Sequence, residues 1–213
     1  MDKLYDLSHP FSSGMPVYPG DEPVLLERRR SAHTDGYTAY SLQTGLHAGT
    51  HLDAPLHFVA DGQMVRDLPL ERFLGRGFLL DGRGQNPVGY KEEYDTLIRA
   101  GDIVLLWTGH SVNWGTDCYY AQHPVLGEEL VEFLIQRRIR LLGMDLPSPD
   151  GPPFAMHKRL LGAGIPLVEN LTNLEQLQHL QSFEVMAFPV KIAAEGCPVR
   201  VVARAWNGKE EEG

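Results

Sequence analysis

The amino-acid sequence predicts a mixed α/β fold with more strand than helix, and three observations predict it. Seven short runs of β-branched or aliphatic residues are each bounded by glycine, proline or aspartate, which is typical of strands. Stretches with apolar residues at helical spacing lie between some of these runs. The chain has 213 residues, 43% of them apolar and 22% charged, and no compositional shift marks a linker. We therefore expect residues 1–213 to form one domain.

The predicted strands and helices alternate along the chain. Strands are expected at YTAYSLQT (37–44), GFLLDG (77–82), DIVLLWTG (102–109), RLLGMD (140–145), IPLVEN (165–170), FEVMAFPV (183–190) and PVRVVARAW (198–206). Helices are expected at YKEEYDTLIRAG (90–101), GEELVEFLIQRR (127–138) and PPFAMHKRLLGAG (152–164). The second helix carries its arginines at the C-terminal end, where positive charge interacts favourably with the helix dipole. The third has proline at its start and glycine at its end, the usual asymmetry of a short helix.

Charge and cysteine usage exclude several classes of protein. The formal net charge of −9 argues against a nucleic-acid or anionic-membrane partner. No apolar run is long enough to cross a bilayer, and the first residues lack the apolar stretch of a secretory signal. Cys118 and Cys197 are too few for a disulfide scaffold or a thiolate zinc site, so we expect reduced or buried thiols. A cytoplasmic location is the default expectation.

The stretch HAGTHLDAPLHF, residues 47–58, has the pattern most specific to chemistry. From 45 to 57 the odd positions hold only glycine, histidine, aspartate and proline, whereas the even positions from 46 to 58 are mostly apolar. This alternation predicts an extended, half-buried segment with metal-ligand side chains on its open face. The glycines and the proline argue against a helix.

A straight strand would hold His47 and His51 about 13 Å apart, near the limit for two imidazoles that share one ion. The segment is therefore expected to bend, and Gly49 is where bending is easiest. Once bent, the chain could bring His47, His51 and Asp53 together as two nitrogens and one carboxylate. That set suits zinc or manganese and leaves positions for water.

The other histidines are less specific. His57 lies beyond Pro55 and could be a further ligand, but we favour a free acid/base, because a hydrolytic centre needs a proton shuttle with a pKa near neutral. We expect His110 and His123 to be structural or to line a pocket. We expect three further histidines to lie on the surface, namely His9, His33 and His179.

Two further features concern possible catalytic residues. Gly109-His110-Ser111 follows a predicted strand as a nucleophile elbow would, but Asn113 stands where that motif requires glycine, so a serine nucleophile is disfavoured. Asp145 ends a predicted strand, a position at which α/β proteins often place functional groups.

HAGTHLDAPLH matches H-x-G-T-H-x-D-x-P-x-H, and through it the chain resembles the cyclase family of metal-dependent hydrolases, which includes bacterial kynurenine formamidase and isatin hydrolase. DLSHPFSSGMPVYPGD, WTGHSVNWGTDCYY and GMDLPSPD followed by H-x11-E-N-L resemble further family segments in the same order. The resemblance therefore covers nearly the whole chain. It implies a swivelling β/β/α fold with a central barrel-like mixed sheet and peripheral helices, assembled as homodimers or larger homo-oligomers.

The resemblance also implies roles by position. His47, His51 and Asp53 match the ligands of a first metal, with Asp53 placed to bridge. His157 and Glu169, each unremarkable in its own segment, match ligands of a second metal. The implied cofactor is a divalent metal, either zinc, with two ions possible, or manganese. His57 matches the family's catalytic histidine.

The implied reaction is hydrolysis of the amide C–N bond of a small aryl formamide such as N-formylkynurenine, a step of tryptophan catabolism, by a metal-activated water. Kynurenine formamidases of this family resemble the pattern PVWPGD, in which the tryptophan contacts substrate. Tyr18 stands at that position in PVYPGD, and we expect it to contact substrate. Trp107 or Phe58 could extend an apolar wall. Two alternatives stay open: hydrolysis of a cyclic amide such as isatin, and a metal-binding protein without catalysis.

Overall fold

A computed structural model describes residues 3–205. The strands are β1 (Leu4–Asp6), β2 (Leu25–Arg30), β3 (Ala39–Gln43), β4 (His51–Asp53), β5 (Leu74–Asp81), β6 (Ile103–Trp107), β7 (Leu141–Met144), β8 (Leu167–Glu169), β9 (Phe183–Met186), β10 (Gly196–Pro198) and β11 (Val202–Ala205). The helices are α1 (Ala32–Asp35), α2 (Tyr94–Leu97), α3 (Asp117–Ala121), α4 (Glu128–Arg137) and α5 (Ala155–Gly162). None of the helices described is both long and apolar enough to span a bilayer.

Nine of these strands form one mixed sheet in the order β1-β11-β9-β5-β6-β7-β8-β4-β10. The central strands β5, β6, β7 and β8 are parallel to one another. The strands on both flanks pair antiparallel. β2 and β3 form a separate antiparallel hairpin. The expected mixed α/β fold is confirmed.

Both faces of the central sheet are covered, and for this reason the central strand β6 is apolar throughout. Alternate side chains point to opposite faces. Ile103 and Leu105 join a core that includes residues of β1, β9 and β11, so the sheet curls into a half-barrel and packs on itself. Val104 and Leu106 join a second core beneath α4 and α5.

Each predicted strand overlaps an observed one, although β5 begins three residues before the strand predicted at 77–82, and Trp206, the end of the last prediction, lies outside the described residues. The helices predicted at 127–138 and 152–164 are found as α4 and α5. The helix predicted at 90–101 is wrong in extent, because only α2 is helical and the backbone turns extended at Ile98 before Gly101 takes a positive φ of 80°. β1, β2 and β10 have no matching predicted strand, whereas β4 lies within the predicted extended segment.

Candidate metal centre

The chain bends at Gly49, as the sequence predicts. Its φ is +63°, and a Cβ atom there would lie 2.5 Å from Met15 Cε, so both conformation and space favour glycine. The expected extended conformation is found over only a short part of the segment. Residues 46–47 form a turn, Pro55–His57 forms a 3₁₀ helix, and only β4 between them is extended. All of β4 is buried, because β8 and β10 pair with its two edges.

The bend brings the side chains of His47, His51 and Asp53 into one group, whose ligand atoms lie within 4.8 Å of one another. His47 Nδ1 is 2.8 Å from Asp53 Oδ1, and His51 Nε2 is 3.4 Å from the same oxygen. His51 and Asp53 occupy alternate positions of β4 and therefore share one face of the sheet. Their side chains are almost fully buried, whereas that of His47 is 21% exposed.

A second group joins Asp53 to two residues of the C-terminal half, His157 and Glu169, again within 4.8 Å. Glu169 ends β8 directly opposite His51 in the antiparallel register with β4, and its Oε2 lies 3.4 Å from His51 Nε2. His157 projects from α5, with Nε2 at 3.2 Å from Glu169 Oε1 and 3.9 Å from Asp53 Oδ2. Asp53 therefore belongs to both groups.

The donor set fits a cation on two grounds. Three imidazoles and two carboxylates are ligands that zinc and manganese accept in proteins. Moreover, His51 Nε2 and Asp53 Oδ2 are buried without any hydrogen-bond partner, although buried polar atoms in proteins are normally satisfied. Both atoms belong to the donor cluster, so a bound ion would give them the partner that the protein does not supply.

The mutual charges of this cluster shift the pKa values of its members. Burial disfavours the charged form of His47, but the hydrogen bond and charge of Asp53 prevail and raise the pKa to about 9. Burial opposes the charge of His157 too, yet Asp150 and Glu169 raise its pKa to about 10. The pKa of Asp53 is lowered, because nearby imidazoles outweigh its burial. Without a metal, protons on the imidazoles balance the carboxylates.

A pocket of about 220 Å³ opens onto the cluster. His57 borders it and belongs to neither donor group: its ring stacks on His47 at 4.2 Å between centroids. Burial lowers the pKa of His57, and the neighbouring His47 lowers it further. The charge of Asp53 raises the pKa but does not outweigh them. Tyr18 also lines the pocket, in an edge-to-face contact with Tyr120 at 5.7 Å. The structure thus brings together the five expected metal ligands, His57 and Tyr18.

The aromatic wall is only partly as expected. Phe58 lines the pocket and packs against Phe154 at 5.3 Å between ring centroids. Trp107 does not line it: this side chain is buried in the core on another face of the sheet, beneath the guanidinium of Arg83 at 3.8 Å. The expectation for Trp107 is wrong, because alternation along β6 points it away from the cluster.

Other weighed residues have structural roles. Asp145 is fully buried and accepts hydrogen bonds from Thr108 and from the backbone of Gly109, which fixes the loop after β6. That loop enters a 3₁₀ helix, so no nucleophile elbow forms at Ser111. His110 is buried, and its Nε2 hydrogen-bonds to the backbone oxygen of Tyr119.

The expected surface position of His9 is wrong. Its ring stacks on Trp114 at 4.1 Å, and burial lowers its pKa to about 4. His33 and His179 are exposed, as expected. Cys118 and Cys197 are both free thiols.

Sequence reasoning missed several residues around the cluster. Asp150, Glu195, Asn170, Tyr120 and Phe154 contact the proposed ligands or line the pocket. Asp150, Asn170 and Tyr120 had a usable signal, since they stand in the segments SPD, ENL and DCYY that carry the resemblance. Glu195 comes from a loop far along the chain, and nothing in its sequence context marks it.

Comparison with known proteins agrees with this geometry. Residues 5–151 match the model of the Cyclase family, described as "Putative cyclase". A kynurenine formamidase of Bacillus cereus is 32% identical over 93% of this chain and 96% of that protein. The structure of isatin hydrolase A from Labrenzia aggregata superposes with a TM-score of 0.82 at 27% identity, covering 96% of this chain and 94% of the other. A structure described as a potential metal-dependent hydrolase with cyclase activity gives 0.76 at 26%, covering 98% and 100%.

A half-barrel of mixed strands with a buried cluster of imidazoles and carboxylates at a pocket is the arrangement of a metal-dependent hydrolase. The donor set and these neighbours support a divalent metal as cofactor. The chain belongs to the cyclase family.

Proposed function

We propose that the chain hydrolyses the amide C–N bond of a small aryl formamide of the N-formylkynurenine type, as its formamidase relatives are named for doing. One observation carries the proposal: two donor groups share Asp53 and open onto a pocket with aromatic walls. His47, His51 and Asp53 would hold one divalent ion, and Asp53, His157 and Glu169 a second.

The cofactor and the protein divide the chemistry. A bound divalent ion of this kind lowers the pKa of a coordinated water and polarises a carbonyl oxygen. The chain itself supplies the rest. His57 borders the pocket without belonging to either donor group, and its lowered pKa keeps the ring neutral near pH 7, able to accept a proton and then return it. We assign it delivery of a proton to the departing nitrogen.

Aromatic side chains provide the surface for the aryl ring of the substrate. Tyr18 and Tyr120 form one aromatic pair at the pocket, and Phe58 and Phe154 form another. A flat aryl group placed among them would bury its faces against ring surfaces, and its formyl group would face the histidines. The volume of about 220 Å³ admits a small molecule only.

A second candidate is hydrolysis of a cyclic amide such as isatin, and the structural similarity to isatin hydrolase A favours it. Both reactions use the same donor cluster and differ in the shape of the substrate. A panel of N-formylkynurenine, N-formylanthranilate and isatin, assayed with protein of measured zinc or manganese content, tests both. Turnover of the formamides above isatin is the expected result. Turnover of isatin alone would replace the first candidate by the second, and no turnover with a full metal content would favour a non-catalytic metal-binding protein.

We also propose that residues 1–213 form one cytoplasmic domain that assembles into a homodimer or larger homo-oligomer. Free cysteines support the reducing location. The assembly is supported by large apolar side chains exposed on the β2–β3 hairpin and the turn between its strands, namely Leu25, Tyr37, Tyr40 and Leu42. Light scattering coupled to size exclusion should give at least twice the chain mass of 23.8 kDa, and a mass of one chain would exclude assembly.

A further inference from the structure

The backbone carbonyl of Gly49 fixes which nitrogen of His51 carries a proton. His51 Nδ1 lies 2.8 Å from this oxygen, which can only accept a hydrogen bond, so Nδ1 is the donor. Nε2, which has no partner, is then the nitrogen that faces the donor cluster. Gly49, whose φ is positive, presents this carbonyl to the ring two residues later. A ring with Nδ1 held in this way has Nε2 available for a cation.

Asn170 holds the same carbonyl from the other side. Its Nδ2 donates to the oxygen of Gly49 at 2.8 Å, and its own backbone oxygen accepts from Thr50 Oγ1 at 2.6 Å. The residue is buried and has a φ of +56°, a left-handed conformation that asparagine tolerates better than most residues. Asn170 follows Glu169 at the end of β8, so it joins the bend of the first donor group to the strand of the second.

Tyr119 fixes the orientation of this amide. Its hydroxyl donates to Asn170 Oδ1 at 2.8 Å, which leaves Nδ2 pointing at Gly49. The tyrosine is fully buried, and its ring lies between His110, stacked at 5.1 Å, and Trp114, edge-on at 5.1 Å. The hydroxyl therefore has little freedom to choose another acceptor.

We propose that Tyr119 and Asn170 are positioning residues for the metal centre. The Tyr119 hydroxyl donates to the Asn170 side-chain oxygen, and the Asn170 side-chain nitrogen donates to the Gly49 carbonyl. The same carbonyl accepts a second hydrogen bond from His51 Nδ1. This chain of hydrogen bonds holds His51 in the Nδ1–H tautomer with Nε2 directed at the cation. The inference rests on the proposed function only in taking His51 as a metal ligand, and it requires no particular substrate.

The test measures zinc affinity, by competition with a chromogenic chelator, in variants of the full-length protein. Asn170→Gly removes the amide without straining the left-handed backbone, and we expect zinc to bind about 10–100-fold more weakly. Asn173→Gly is the matched control, since Asn173 also has a φ of +61° and also donates to a backbone carbonyl, that of Asp6. Its zinc affinity should stay within twofold of the wild type.

Tyr119→Phe removes a single hydroxyl and serves if Asn170→Gly does not fold. We expect a loss of roughly threefold, because Asn170 keeps its own bond to Gly49. Tyr94→Phe is its control, since the Tyr94 hydroxyl is equally buried and has no partner. In zinc-loaded protein labelled with ¹⁵N-histidine, the His51 Nδ1–H signal should be protected from exchange in the wild type and lose protection in Asn170→Gly.

Unchanged zinc affinity in both Asn170→Gly and Tyr119→Phe would overturn the positioning role, as would equal losses in the controls, which would mark a general loosening of the fold. The proposed function fails separately. Wild-type protein that binds zinc but turns over nothing in the substrate panel would overturn the formamidase proposal, while the affinities of these variants would still decide the role of Asn170.

Discussion

His47, His51 and Asp53 come from one stretch of chain, residues 47–53, whereas His157 and Glu169 come from a helix and a strand of the other half of the sequence. The local half depends on a bend at Gly49 and leaves His47 partly exposed, with 21% of its side chain accessible. The distant half stands on α5 and β8, and its side chains are 5–6% exposed. The local motif is thus easy to find in the sequence and has one partly exposed member, whereas the distant pair is buried and is brought to the site only by the tertiary fold.

The two halves meet at Asp53 and at the β4–β8 pairing, which sets His51 opposite Glu169. The distant half is incomplete alone, because its donor group also uses Asp53 of the local half. We therefore expect substitutions in the local half to affect the whole centre.

Replacing His51 by alanine should have the largest effect. His51 Nε2 lies 3.4 Å from an oxygen of Asp53, which both groups share, and 3.4 Å from an oxygen of Glu169 in the second group, so its loss disturbs both groups. We expect loss of at least one metal equivalent per chain and a fall in kcat of more than about 10⁴-fold, since several kcal/mol of charge stabilisation leave with the ion. Metal analysis after dialysis and a formamide assay measure both. His179→Ala, at an exposed histidine, is the control. Full metal content in His51→Ala would show that it is not a ligand.

This contrast also explains how much could be predicted from the sequence. The ligands of the local half share a bent segment, so spacing alone suggested them, and the bend at Gly49 followed from simple geometry. His157 and Glu169 look like an ordinary helix histidine and strand-end glutamate, and only the family resemblance singled them out. Trp107 and His9 were misjudged because their surroundings depend on the curl of the sheet and on a loop that packs far from its own position in sequence.

His57 tests whether every histidine of the motif belongs to the metal. It follows the local half on a 3₁₀ helix and stacks on His47, yet it lies in neither donor group. His57→Ala should keep the full metal content and lower kcat by about 10²–10⁴-fold, the usual contribution of a general acid/base. An unchanged kcat would remove it from the chemistry, and a loss of metal would make it a ligand.

Asp150 tests how rigid the distant half is. Its Oδ1 accepts from His157 Nδ1 at 2.8 Å, and its Oδ2 accepts from the backbone of Met156 at 2.7 Å, so it fixes both the ring and the start of α5. Asp150→Asn replaces one acceptor by a donor, and we expect metal affinity to fall about 10–100-fold. Asp145→Asn is the control, because Asp145 is also buried and also accepts a hydrogen bond from a backbone N–H, but it does not line the pocket. Equal losses of affinity in the two variants would assign Asp150 to folding alone.

The stability of the metal-free protein and the stabilisation gained on binding metal should depend on pH in opposite directions. In the metal-free protein the pKa of His47 is raised to about 9 and that of His157 to about 10, from an ordinary value of 6.5. Their stabilising contribution is therefore full below pH 6.5 and is lost as pH rises to about 10. Metal competes with these protons, so its binding strengthens over the same range.

Melting curves at pH 6.5 and pH 9 check this prediction. The metal-free protein should melt at least about 2–4 °C lower at the higher pH, the shift that follows from each kcal/mol in a domain of this size. The gain in melting temperature on adding zinc should be larger at the higher pH. A gain that shrinks with rising pH would contradict the assignment of these histidines as ligands.

Tyr18 lies at the pocket but outside both halves of the centre, so its replacement should have the smallest effect and leave metal binding untouched. Its ring is 37% exposed and meets Tyr120 edge-on, which leaves one face for the substrate. Tyr18→Ala should raise KM for an aryl formamide by roughly 3–10-fold, the worth of one aromatic contact, with kcat nearly constant. Val112→Ala, at an exposed apolar residue that does not line the pocket, is the control. Since the two donor groups are intact in Tyr18→Ala, a fall in kcat with an unchanged KM would mean that Tyr18 acts on the reacting atoms and does not bind the ring.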